Sequence, residues 1–345
     1  MFAILTPFIM PFESKKPVNF GDGFILQAIL NAVTIKPLIV ISTRCHPTPN
    51  EIEALNKCQF ALIAGSNLAN QQFQFLGPDT ASAMKQINCP IIPVGVGLGD
   101  GIETIGDFSK AGLQNLSLLL ERLAEYQLPA SWRCFRTKNL MDQVCSKLGF
   151  DVEHLMTGCP TMFQRRLASP SELQQILIST TIRDDFLERE LELLESAVEF
   201  SRIRELPSPI LYFQQPVNPS ANFRWKAFQQ RKSIKQLIDI SRKLGVELFE
   251  PKSLEECFWK FANTSFHCGS RLHTHITFRA SNKPSLLQAI DNRAIDYGST
   301  FKDECVITNR NINLQDIERT YGGTSLPSFS DTGNWALFLK KIGLA

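Results

Sequence analysis

Short apolar runs recur along this chain, each closed by a glycine or polar turn and separated from the next by a segment with apolar residues at helical spacing. In the first half FAILT, KPLIVIST, FALIAGS and CPIIPVGVG are such runs, and FILQAILNAV, EIEALNKC and LQNLSLLLERLAEYQ are helical segments. Runs of this length between helices read as strands of a parallel sheet in βα units. A short strand at 132–135, a helix at 139–148 stopped by Gly149 and a closing strand in HLMTGCPTMF complete that half. The second half repeats the plan without repeating the sequence. LQQILISTTIRDD reads as a strand ending at Arg183, followed by a helix with acidic first turns and Arg202 and Arg204 near its end, as the macrodipole favours. SPILYFQQP and VELFEP are further strands, WKAFQQRKSIKQLIDISRKLG is a helix with a basic face, and SLEECFWKFAN opens with a capping box from Ser253 to Glu256. The polar QRRLASPSE at 164–172 is the linker. Two Rossmann-like domains are therefore expected, 1–165 and 170–325, with a C-terminal helix in 326–345 crossing back to the first.

Composition agrees and narrows the function. A chain of 345 residues exceeds the roughly 250 to 300 at which single cores stop growing. Hydrophobic content of 43% and charged content of 20% are those of a soluble globular protein, and no run reaches the roughly 18 apolar residues of a membrane span. A net charge of +2 makes no field for nucleic acid. Nine cysteines without a CxxC pair favour neither a disulfide framework nor a zinc site; most are expected as buried thiols, and no metal is expected. The start has no cationic n-region and meets Pro7 and Pro11 early, so it reads as strand and loop, and a cytoplasmic location is expected. Gly95 and Gly97 lack the third glycine of a dinucleotide fingerprint, so no NAD is expected.

Two stretches carry candidate chemistry. Asn19-Phe20-Gly21-Asp22-Gly23 precedes a helix that Asp22 is expected to cap, at the carboxyl ends of strands where α/β proteins bind ligands. Gly269-Ser270-Arg271-Leu272-His273 sets an imidazole two residues from a permanent cation, which suits an anionic substrate. His267 and His154 read as surface or core residues, and His275 as an additional, structural imidazole.

The order of these motifs resembles the polysaccharide pyruvyltransferase family, over roughly residues 15 to 300. The resemblance is carried by an N-x-G-D loop (Asn19, Gly21, Asp22), a glycine-rich strand end (Gly65-Ser66-Asn67), P-x-x-x-x-G-x-G (Pro90, Gly95, Gly97), an Arg ahead of a helix (Arg136), a strand-terminal Arg (Arg183) and G-x-R-L-H before a Pro (Gly269, Arg271, Leu272, His273, Pro284). It implies a GT-B-like pair of domains facing across a cleft, the first on the acceptor side and the second on the phosphoenolpyruvate side. The implied reaction moves the pyruvyl group of phosphoenolpyruvate onto two hydroxyls of a saccharide or lipid-linked saccharide, with no cofactor. His273 would then be the acid/base, and Arg271 and Arg183 would hold carboxylate and phosphate. The chain departs from the family where a triple glycine becomes Gly-Ser-Asn, an Asp-Pro becomes Cys159-Pro160 and a Lys becomes Arg293. Two other functions fit the same plan, a nucleotide-sugar glycosyltransferase and a repurposed, non-catalytic member. The basic face with Arg231, Lys232 and Lys235 is either a solvated helix or a peripheral contact with the inner face of a membrane.

Overall fold

A computed structural model describes residues 1–8, 19–164, 167, 175–181, 183–215, 217, 225–323 and 332–344, the side chains of 225–231 and 332 excepted. The expected linker lies outside these residues except for Gln164 and Leu167, and Arg231 lies among the excepted side chains. The described residues fall into two α/β units, one of 1–8, 25–164 and 332–344, the other of 19–24 and those from 167 to 323.

In the first unit β1 (Phe2–Thr6), β2 (Ile39–Ser42), β3 (Phe60–Ala64) and β4 (Ile91–Val94) form a parallel sheet in the order β2-β1-β3-β4. The helices of this stretch are α1 (Phe20–Ala32), whose first turn counts with the second unit, α2 (Pro49–Asn56), α3 (Thr80–Met84) and α4 (Lys110–Glu125). Then β5 (Ala130–Trp132), α5 (Phe135–Leu148) and β6 (His154–Met156) follow, β5 and β6 pairing in parallel. All of β1 and β4 is buried, as expected for strands covered on both faces.

The second unit has β7 (Ile176–Thr180), α6 (Leu187–Ile203), β8 (Ile210–Phe213), α7 (Trp225–Lys243), β9 (Glu247–Phe249) and α8 (Leu254–Ala262). It continues with β10 (Phe266–Gly269), α9 (Leu272–Ala280), β11 (Ser285–Gln288), α10 (Asn292–Phe301), β12 (Val306–Ile307) and α11 (Leu314–Tyr321). Its parallel sheet runs β12-β11-β10-β7-β8-β9. Ile178, Leu211, Phe266 and Leu286 of the strands pack on Leu194, Phe200 and Leu237 of the helices as one core. The last helix, α12 (Thr332–Lys341), belongs to the first unit, where Trp335 stacks on Phe163 at 4.9 Å and Lys341 pairs with Glu153 at 2.6 Å.

The strand orders locate the two places where a ligand is easiest to seat. In the first sheet the chain leaves β1 to one side for β2 and returns to the other for β3. In the second it runs β7, β8, β9 outward and then restarts on the far side of β7 with β10. At such a switch point the connections diverge and open a crevice beyond the strands' carboxyl ends.

Local expectations shift in three places. α5 starts at Phe135, directly after β5 ends at Trp132, so the strand and helix expected at 132–135 and 139–148 each begin earlier. β7 ends at Thr180, three residues before Arg183. Ser253 does cap α8, but the Glu256 carboxylate accepts from the Lys252 N–H at 2.7 Å, so the reciprocal half of the box falls one residue early. At the other end of α8, buried Lys283 donates at 2.7 and 2.8 Å to the carbonyls of Phe261 and Ala262, which have no partner within the helix, and at 2.8 Å to that of Thr264 just beyond it. Of the cysteines only Cys45 is exposed. Among the described residues no helix is long and apolar enough to cross a membrane. Lys232 and Lys235 of α7 are exposed.

Candidate functional site

At the switch point of the second unit, β10 ends against β7. Gly269 has φ +151°, and a Cβ there would lie 2.1 Å from the Ser179 carbonyl oxygen, so only glycine lets the two strand ends approach. Beyond it the Ser270 N–H donates to Ser179 O at 2.9 Å, and the Ser270 hydroxyl donates to Glu190 Oε1 at 2.6 Å. The Arg271 N–H donates to Ser179 Oγ at 3.2 Å and its Nε to Thr180 O at 2.7 Å. Arg271 is the N-cap residue of α9, and its own side chain does not cap that helix. The start of α9 presents the positive end of the helix dipole beside this side chain.

Arg271 is half-buried and anchored only through Nε and its backbone. Among the described residues its two Nη groups make no hydrogen bond. Burial holds its pKa down to about 10; the Glu190 charge pulls it up and the Arg293 charge pushes it down. The Glu190 carboxyl is itself raised by burial, against hydrogen bonds from Ser270 and the Thr181 N–H. The result is an open guanidinium fork at the start of α9, with a buried carboxyl from α6 bonded to the same turn.

The N-x-G-D loop counts with this unit. Asn19 Oδ1 accepts from the Gly21 N–H at 3.1 Å and from Gln214 Nε2 at 2.7 Å, while Asn19 Nδ2 donates to Asp22 at 3.3 Å. Because α1 begins at Phe20, Asn19 rather than Asp22 takes the capping position, and Asp22 lies in the first turn. Gln214 follows β8 and accepts from the Thr274 hydroxyl at 3.3 Å. A Cβ on Gly21 would stand 2.4 Å from Gln214 Nε2 and 2.7 Å from His273 Nδ1, so the loop rests on the imidazole. His273 is only 4% exposed, where the sequence suggests a ring open to substrate. Gly21→Ala should therefore displace Gln214 or His273 and cost about 1–3 kcal/mol as overpacking. Denaturant titration would measure it, and wild-type stability would show that the loop yields freely.

The remaining sequence candidates are more dispersed. Leu272 is buried at the start of α9. Arg293 is tied to Asp291, its Nε at 2.9 Å, and reaches Arg271 only as a neighbouring charge. Arg183 is half exposed, paired with Asp185 at 3.6 Å and stacked over Phe186, not joined to the Arg271 anchor. Arg136 lies within α5, bonded to Ile102 O at 2.7 Å and beside Glu103 at 3.8 Å. The arginine that stands between strand and helix is Arg133, buried against Gly97. Sequence reasoning missed Arg133, Gln214 and Glu190. Glu190 had a signal, since it shares the 190, 193, 194, 197 spacing of α6's apolar stripe with Leu193, Leu194 and Ala197.

The first unit's switch point holds a separate cavity of about 290 Å³ beyond β1, β2 and β3. Thr43, Arg44, Ser66, Asn67, Asn70 and Gln74 line it together with prolines. Thr43 Oγ1 and Asn67 Oδ1 are buried there without a hydrogen-bond partner among the described residues. Gly65 and Ser66 both have positive φ, +59° and +74°. For Ser66 that conformation costs of order 1 kcal/mol, strain of the kind held at functional sites.

No family model and no curated protein matches this chain. Solved structures do. A Listeria monocytogenes protein assigned as a UDP-N-acetylglucosamine 2-epimerase is 13% identical over 99% of this chain and 95% of its own, with a TM-score of 0.55. UDP-GlcNAc 2-epimerase from Methanocaldococcus jannaschii, in complex with UDP-GlcNAc and UDP, is 11% identical over 98% of each chain, with a TM-score of 0.52. At these identities the likeness is one of fold, and the fold is GT-B.

Proposed function

We propose that this chain is a sugar-modifying transferase that seats the phosphate of its donor at the N-terminus of α9. The open fork of Arg271 at the start of that helix carries the reading. A guanidinium offers two parallel N–H groups to an oxyanion, and helix-end amides complete the cradle. The cavity of the first unit supports a saccharide as the second substrate, because amide and hydroxyl groups make up most of its polar lining beside the single charge of Arg44 and can pair with sugar hydroxyls. The fold likeness to proteins named for UDP-GlcNAc supports a nucleotide sugar as donor.

One observation favours a second donor. The Asn19-Gly21-Asp22 loop and the Arg271-Leu272-His273 turn are far apart in the chain and meet within one unit, and since both are motifs of the pyruvyltransferase resemblance, their meeting supports phosphoenolpyruvate. In that form His273 protonates C3 of the enol phosphate, C2 forms bonds to two sugar hydroxyl oxygens and its bond to the phosphate oxygen breaks; one hydroxyl proton returns to His273 and the other leaves with the phosphate.

The two donors separate in one assay series. UDP release is followed with UDP-sugars, and phosphate release with phosphoenolpyruvate and a panel of galactosyl and N-acetylmannosaminyl glycosides. Turnover is expected with one class. His273→Gln should lower phosphoenolpyruvate-dependent release by about 10² to 10⁴ if the ring supplies the proton. A chain that neither turns over nor is stabilised by either donor would defeat the reading.

A further inference from the structure

His275 is fully buried and has no part in the proposed chemistry, but it lies in a continuous line of hydrogen bonds through the second unit. Arg271 N–H meets Ser179 Oγ at 3.2 Å, and Ser179 Oγ meets His267 Nε2 at 2.7 Å. His267 Nδ1 and His275 Nδ1 both meet Ser285 Oγ at 2.7 Å, and His275 Nε2 meets Asp303 Oδ2 at 3.1 Å. The elements joined are β7, β10, β11, α9 and the turn after α10.

With both rings neutral, the Asp303 end fixes the direction of every bond. The carboxylate can only accept, so His275 carries its hydrogen on Nε2 and its Nδ1 accepts from the Ser285 hydroxyl. Ser285, its one hydrogen spent, accepts from His267 Nδ1–H. His267 Nε2 then accepts from the Ser179 hydroxyl, whose oxygen also accepts from the Arg271 N–H. Asp303 also accepts from Tyr297 OH at 3.3 Å, the Cys305 N–H at 3.0 Å and Arg279 Nη2 at 3.4 Å, so it acts only as an acceptor. Burial holds both imidazoles below their ordinary pKa and hence neutral, as this pattern requires.

We propose that His267 and His275 are positioning residues whose relay of fixed polarity, anchored at Asp303, orients the Ser179 hydroxyl and so holds the Ser270–Arg271 turn at the entrance to α9. A line that ends on a backbone amide cannot pass a proton onward, so its role is orientation and not proton transfer. Its bearing on donor binding rests on the proposed role of Arg271; its bearing on the turn does not.

Long-range ¹H–¹⁵N correlation on histidine-labelled protein reads the tautomers directly. His267 as the Nδ1–H form and His275 as the Nε2–H form are expected between pH 6 and 8. The reverse forms, or a cationic ring, would overturn the relay. Ser285→Ala removes its middle with little change in volume. Amide exchange at Arg271 should then rise at least tenfold while amides inside β10 and α9 keep their wild-type rates, and unchanged Arg271 exchange would also overturn the proposal. In the same preparations UDP and phosphoenolpyruvate binding to the wild type is measured. Its absence would count against the donor site alone, because tautomers and exchange are read without ligand.

Discussion

Asp303→Ala is expected to destabilise the second unit by about 3–5 kcal/mol, the usual result of removing one partner of a buried ion pair. The carboxylate is buried, and burial alone would raise its pKa; hydrogen bonding to His275 and the Arg279 charge instead bring it down to about 2. Arg279, 2% exposed, would lose its paired carboxylate in the core, and His275 Nε2–H and Tyr297 OH would lose an acceptor. The denaturation midpoint of this unit should fall by roughly 10 °C. Pairing Asp303→Leu with Arg279→Met strands no charge, so this double variant should be more stable than Asp303→Ala alone. Chemical denaturation of the three proteins measures the difference. A loss below 1 kcal/mol in Asp303→Ala would show that the cluster is solvated.

Acid should unfold the protein over a window set by its buried histidines. His154 accepts from Trp132 Nε1 at 2.7 Å and lies 3.1 Å from Cys145 Sγ, and burial lowers its pKa from 6.5 to about 4. Its proton is bound more tightly in the unfolded chain, so the stability from its neutral form is complete above pH 6.5 and is lost as pH falls toward 4. A shift of about 2.5 at 1.36 kcal/mol per unit gives about 3 kcal/mol. His267 and His275 are depressed as well and act in the same direction. His154→Asn keeps an acceptor for Trp132 and removes the titration. Denaturant titrations at pH 7.5, 6 and 5 should therefore give a shallower slope for the variant, and equal slopes would show that His154 does not contribute.

Much of the fold was legible because its strands are covered on both faces. Runs such as FAILT and FALIA have no polar alternation to confuse, and a proline ends the first and a glycine the second. Boundaries slipped where neither capping nor glycine gave a signal: α5 starts at Phe135 after an uncapped Cys134, and β7 stops before Arg183. The position of Arg271 was legible because Gly269 marks the end of its strand, whereas the burial of His273 at 4% exposure was not. Arg183 reads from sequence as a partner for Arg271 because both follow strands. In three dimensions Asp185 and Phe186, next along the chain, take it first. Gln214 and Lys283 gave no local signal. Gln214 matters through its bond to Asn19, and Lys283 through carbonyls at the end of another helix, partners set by tertiary packing.

The seat at α9 is tested most directly by calorimetric titration of UDP and of phosphoenolpyruvate into the wild type and into Arg271→Met. At about 1.5–3 kcal/mol for a hydrogen bond to a charged group, Arg271→Met should weaken the ligand that binds by at least about tenfold, measured at a temperature where both free proteins are folded. Equal affinity in both proteins, or no binding of either ligand to the wild type, would contradict a donor phosphate held by Arg271.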